Sequence, residues 1–167
     1  MSYKKVLYLG GQKSGKTLLA LKHTLKLSNN SMPKYIATYK NDFKDKFMKK
    51  KLKNHQKERL NLFKTIEKAK NINKMIKIEE TYVIDCLSMW IFNNIDKKKS
   101  YFIKHLEKIF KKDANIVFVI NTVNSGIIPI DKISRKFIDL SGLVGNIVAL
   151  KCDAVYSVNY GIKTKIK

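Results

Sequence analysis

Gly10-Gly11-Gln12-Lys13-Ser14-Gly15-Lys16-Thr17 is the stretch on which the fold turns. Its spacing is G-x-x-x-x-G-K-[ST], in which glycines let the backbone bend around a phosphate while successive N–H groups point inward. In such a loop Lys16 carries a movable positive charge to the β- and γ-phosphates, and the Thr17 hydroxyl is placed to hold a magnesium ion. The start of the next helix adds its partial positive charge. Working outward, Lys5-Val6-Leu7-Tyr8-Leu9 reads as a buried first strand. On the other side Leu18, Leu19, Ala20, Leu21, Leu25 and Leu27 recur near helical spacing. Strand, loop and helix are the context the pattern requires. A glycine turn without a ligand is the alternative, and the context weighs against it.

The chain of 167 residues suits one domain spanning 1–167. No apolar run approaches the roughly 18 residues of a membrane span, and the N-terminus shows no apolar signal-peptide core. Cys86 and Cys152 stand apart among apolar residues, without a C-x-x-C pair. They read as small hydrophobes in a reducing cytoplasm. The net charge of +22 raises the question of nucleic acid. Yet of 35 basic residues only Arg59 and Arg135 are arginine. Bidentate phosphate contacts and exposed stacking aromatics are the usual marks of such a surface. The lysines read instead as solvated faces, and no nucleic-acid partner is expected.

Strands and helices alternate along the rest of the chain. Strands are expected at 34–38, 81–85, 115–120, 154–159 and 162–167, with 60–67 a strand or loop. Helices are expected at 42–56, 72–78, 86–95, 101–110 and 131–150, the last weakened by Gly142 and Gly145. The run 115–120, the most hydrophobic, belongs at the centre of the sheet, and Tyr160-Gly161 closes a terminal hairpin. This order predicts an α/β fold of the P-loop, RecA-like kind: a doubly wound, mostly parallel sheet with an antiparallel edge strand.

Asp85 ends an apolar strand, where a carboxylate lies beside the phosphate loop and holds hydrated magnesium. The structural alternative is Asp85 as the cap of a helix starting at Cys86. Asn121-Thr122-Val123-Asn124 lacks the Lys and Asp of a guanine-reading N-K-x-D motif. Two arginines are also few for the arginine-rich lid of a small-molecule kinase.

Further motifs follow in order: Tyr35-Ile36-Ala37-Thr38, Met48 seven residues before His55-Gln56-Lys57-Glu58-Arg59, and Phe63-Lys64-Thr65-Ile66-Glu67. Then come Asp85-Cys86-Leu87-Ser88-Met89-Trp90 with Asn93, and Gly126-Ile127-Ile128-Pro129. The series ends with Arg135-x-Phe137-x-Asp139-x-x-Gly142, Asp153-Ala154-Val155-Tyr156 and Gly161-Ile162. Together with the loop they resemble the bifunctional adenosylcobinamide kinase / adenosylcobinamide-phosphate guanylyltransferase family of cobalamin assembly, over almost the whole chain.

The resemblance implies two reactions. ATP or GTP phosphorylates adenosylcobinamide, and GTP then transfers GMP to adenosylcobinamide phosphate, giving adenosylcobinamide-GDP. It implies a GMP–histidine intermediate at His55, with Lys16 catalytic, and magnesium at Thr17 and Asp85. Nucleotide contacts carry over to the loop, Gly10, Gly11, Gln12, Lys13, Ser14, Gly15, Lys16 and Thr17, and to Thr38, Tyr39, Arg59, Glu67 and Asp85. A cytoplasmic homotrimer with sites between subunits is implied as well, with Phe43, Phe47 and Leu52 at its interface. A neutral imidazole nitrogen is nucleophilic near pH 7, which suits His55, and Arg59 one turn later is spaced to hold a phosphate. Read by spacing alone, His55 is a surface residue and Glu67 a strand-end carboxylate. His23 and His105 fill helix faces.

The chain departs from the family at four places. Phe47 replaces a Glu, Lys51 an Arg, Thr122 the Glu of Asn-Glu-Val, and Gly145-Asn146 an Asn-Gln. Thr122 removes a carboxylate near the nucleotide, so the kinase step is the more exposed of the two. Another P-loop kinase or nucleotidyltransferase, and a GTP-binding homologue lacking one activity, are the competing enzyme readings. A basic nucleotide-responsive module is the non-enzyme one.

Overall fold

The computed structural model describes residues 3–39, 61–123 and 125–167. The expected helix at 42–56, together with His55 and Arg59, lies outside them. Among the described residues seven strands form one sheet: β1 (Lys5–Gly10), β2 (Lys34–Ala37), β3 (Lys64–Glu67), β4 (Thr81–Asp85), β5 (Asn115–Asn121), β6 (Ala154–Asn159) and β7 (Ile162–Lys165). Their spatial order is β3-β2-β4-β5-β1-β6-β7. The first six run parallel, and β7 returns antiparallel on β6 as the edge. The strand expected at the centre, β5, is the fourth of the seven.

Side chains alternate across the sheet and both faces are buried, as a parallel sheet demands. On one face Val6, Tyr8, Val83, Val117 and Val119 pack against Ala20 and Leu21 of α1 (Lys16–Leu27). On the other, Leu7, Ile84, Ile116 and Phe118 meet α2 (Leu87–Phe92), α3 (Lys99–Phe110) and α4 (Lys132–Lys151). Trp90, Phe102, Leu106, Val144 and Val148 are fully buried there. Helices on both faces make the sheet doubly wound.

Several boundaries moved. The helix expected at 86–95 is regular only over Leu87–Phe92 and continues as turns. The one expected at 72–78 is a single 3₁₀ turn, Ile72–Met75. α4 runs unbroken through Gly142 and Gly145, because Leu140, Val144 and Val148 hold it to the sheet and Gly145 lies against Ile120.

Candidate active site

The parallel strands bring one set of ends together. Gly10 of β1, Asp85 of β4, Asn121 of β5 and Asn159 of β6 all finish at the same edge of the sheet. In open α/β sheets, ligands bind outside the carboxyl ends of the strands. The phosphate loop leaves β1 here and enters α1 through Gly15, whose φ of 90° is one that side-chain-bearing residues adopt only with strain. Gly10 is required for closeness: a Cβ there would sit 2.4 Å from the Val158 carbonyl oxygen. The Lys16 ammonium donates to the Gly11 carbonyl at 2.9 Å, folding the side chain over the loop. Ser14 is nearly buried, and its Oγ has no hydrogen-bond partner among the described residues.

Asp85 is where the strand edge meets the loop. The Thr17 hydroxyl donates to Asp85 Oδ2 at 3.3 Å, and the buried Tyr35 hydroxyl donates to the same oxygen at 2.6 Å. The cap of α2 is Cys86, which makes no side-chain cap bond, so the alternative of Asp85 as helix cap falls away. A hydroxyl and a carboxylate are the hard oxygen donors that magnesium takes. No cluster of three acidic, His or Cys side chains forms among the described residues. A magnesium ion at Thr17 and Asp85 would therefore complete its shell from phosphate oxygens and water, as that ion commonly does.

The other expected contacts fall into two groups. Thr38 is fully buried behind Asp85. Its hydroxyl donates to the Cys86 carbonyl at 2.7 Å and accepts from the Cys86 N–H at 2.9 Å, so it braces the backbone after the carboxylate. Asn93 extends this brace, donating to the Thr38 and Ala69 carbonyls at 2.7 and 3.1 Å. Tyr39 follows Thr38 and is half-buried, while Glu67 is exposed at the end of β3. β3 lies four strands from β1, about 19 Å at ~4.8 Å per strand. Glu67 therefore stands at the outer strand of the sheet, well away from the phosphate loop.

Three features were missed by reading the sequence. The first is the hydrogen bond from Tyr35 to Asp85. The second is the Ser88 hydroxyl, which accepts from the Asn121 N–H at 2.9 Å and ties α2 to the end of β5. The third is the backbone bond that ties the loop after β5 to the phosphate loop: the N–H of Thr122, a residue the sequence had singled out, donates to the Gly10 carbonyl at 3.0 Å. Farther along that loop Ile127, Ile128 and Ile130 are almost fully exposed, and Arg135 donates to the Pro129 and Ile130 carbonyls.

Neither cysteine has the character of a nucleophile. Burial, and then the Asp85 charge, push the Cys86 thiol up to about 11; burial takes Cys152 to about 12. Both stay protonated near neutral pH. His23 accepts or donates at Tyr8 Oη (2.9 Å), and His105 packs on Tyr101 with ring centroids 4.1 Å apart. Both fill helix faces, as expected.

Comparisons with known proteins agree with this geometry. The cobinamide kinase / cobinamide phosphate guanyltransferase family matches residues 6–166. The bifunctional adenosylcobalamin biosynthesis protein CobP of Pseudomonas aeruginosa is 24% identical over 173 residues, 96% of each chain. The protein CobU of Escherichia coli K12, which carries the same bifunctional description, is 25% identical over 184 residues, covering 97% of this chain and 99% of its own. Among solved structures, the flagellar accessory protein FlaH of Methanocaldococcus jannaschii superposes with a TM-score of 0.54 at 12% identity. That match covers 98% of this chain and 78% of FlaH, and it shows a shared fold alone. With a phosphate loop and carboxylate at one sheet edge and a family match from the first strand to the last, the chain belongs to the cobinamide kinase / cobinamide phosphate guanyltransferase family of cobalamin biosynthesis.

Proposed function

We propose that this chain carries out both transfers its family is described by. In the first, the aminopropanol hydroxyl of adenosylcobinamide attacks the γ-phosphorus of ATP or GTP and the nucleoside diphosphate leaves. In the second, His55 attacks the α-phosphorus of GTP and pyrophosphate leaves. The phosphate of adenosylcobinamide phosphate then takes GMP from the histidine, giving adenosylcobinamide-GDP. The observation that carries the reading is the phosphate loop with Thr17 and Asp85 at the carboxyl edge, inside a family match over residues 6–166.

In this reading Lys16 and the loop N–H groups hold the phosphates, and Arg59 holds the phosphate next to His55. Thr17 and Asp85 would hold magnesium, which when bound neutralises phosphate charge. Tyr35 and Thr38 keep Asp85 in place. Thr122 stands exposed at the end of β5, where the family resemblance places a carboxylate. That position favours guanylyl transfer as the stronger activity and the kinase step as the weaker. We place the enzyme in the cytoplasm as a homotrimer, and the exposed Ile127, Ile128 and Ile130 give such an assembly an apolar face. Light scattering on purified protein checks the stoichiometry.

The deciding experiment is incubation with magnesium and GTP labelled at the α-phosphate, followed by denaturation. Acid-labile, base-stable label on the protein, absent in His55→Ala, is expected. Guanylyl transfer that proceeds without such label would remove the histidine intermediate from the scheme.

A further inference from the structure

Resting on the reading of the loop as a nucleoside triphosphate site, we infer that the ring of Tyr160, on the turn between β6 and β7, is the aromatic platform that receives the base of the bound nucleotide. The placement comes from the backbone. The Gly161 N–H donates to the Ser14 carbonyl at 2.8 Å, and a Cβ on Gly15 would stand 3.2 Å from Gly161 Cα. The turn therefore abuts the phosphate loop at the residues that open α1. Because β6 is parallel to β1, with Gly10 opposite Val158, its turn emerges at the same edge of the sheet as the phosphates would.

The choice of residue points the same way. Tyr160 and Gly161 have φ of 51° and 81°, the two positive angles of a type I′ hairpin turn. Asn-Gly and Asp-Gly are favoured in such turns because Asn, Asp and Gly tolerate positive φ, which costs a tyrosine steric strain. Here the tyrosine does not recover that cost by packing, since it is 97% exposed. Exposed residues that break a local rule without a structural return are expected at functional sites. An aromatic face beside a phosphate-binding loop suits a nucleobase, because every base presents a π-face for stacking. Such a platform is indifferent to which base it receives, so it serves ATP and GTP alike.

The test separates the base from the phosphates. Affinities for GTP, ATP and inorganic tripolyphosphate are measured by calorimetry on wild type, Tyr160→Asn and Tyr160→Phe. Asn keeps the turn and removes the ring; Phe keeps the ring and removes the hydroxyl. The expected result is about tenfold weaker binding of both nucleotides by Tyr160→Asn, the effect of losing one base stack, with tripolyphosphate unchanged. Tyr160→Phe should bind like wild type. An equal loss for tripolyphosphate would show that the turn only supports the loop, and unchanged nucleotide binding would remove the platform; either overturns the inference. Failure of wild type to bind any nucleotide would strike the underlying reading itself, and it shows before any variant is made.

Discussion

Asp85 takes two hydroxyl donors on one oxygen, and only one of them belongs to the phosphate loop. Tyr35 is the other, and its hydrogen bond fixes the carboxylate independently of any ligand. A hydrogen bond to a charged group contributes about 1.5–3 kcal/mol. Tyr35→Phe should therefore weaken magnesium-dependent nucleotide binding about tenfold while leaving binding in EDTA unchanged. Titration with and without magnesium checks this, and equal losses under both conditions would contradict it. His23 and His105 set a pH dependence of stability. Burial is the main cause lowering the pKa of each below 6.5. Lys163 and Lys26 lower His23 further; at His105 the Tyr101 carbonyl opposes the shift and Lys108 adds to it. Because the unfolded chain then binds protons more readily, stability is full at neutral pH and declines as pH falls through about 6.5. Melting temperature should drop between about pH 7.5 and 5.5, and less steeply in a His23→Gln, His105→Gln protein. A slope unaffected by the double change would assign the effect elsewhere.

At the scale of elements, Thr38 links the ends of β2 and β4. Thr38→Val keeps the shape and leaves the Cys86 N–H without its partner, while the Cys86 carbonyl keeps only the Trp90 N–H. A destabilisation of about 1–3 kcal/mol is expected in the absence of nucleotide, read by urea denaturation. Loss of GTP affinity with unchanged stability would instead make Thr38 a direct ligand contact. The elements themselves were largely legible. Continuous apolar runs such as Thr81–Asp85 and Asn115–Ile120 declare strands buried on both faces, and the glycine loop orients the first of them. Less legible was α4, where two glycines argue locally against a helix that four buried residues hold in place tertiarily. The site was legible where chemistry is local, in Gly10–Thr17 and Asp85. Tyr35 and Ser88 were not, because their partners lie 50 and 33 residues away and meet them only once the strands are in register.

For the whole molecule, a net charge of +22 is balanced by little local pairing: Lys34–Glu80 is the one ion pair among the described residues. Self-repulsion of like charges then weighs against the compact state. Raising ionic strength from about 0.1 M to about 1 M shortens the screening length from about 10 Å to about 3 Å. The melting temperature should rise with potassium chloride over that range, and a fall would mean that ion pairing outweighs repulsion. The sheet order carries another consequence. β1 has β5 and β6 as neighbours, both of which follow it in sequence, and its loop is touched by Gly161 of the turn between β6 and β7. During synthesis the glycine loop is made before β5, β6 and Gly161, and it stays without these neighbours until they follow. A chain cut short before β6 therefore carries the phosphate motif without the strand and turn that abut it.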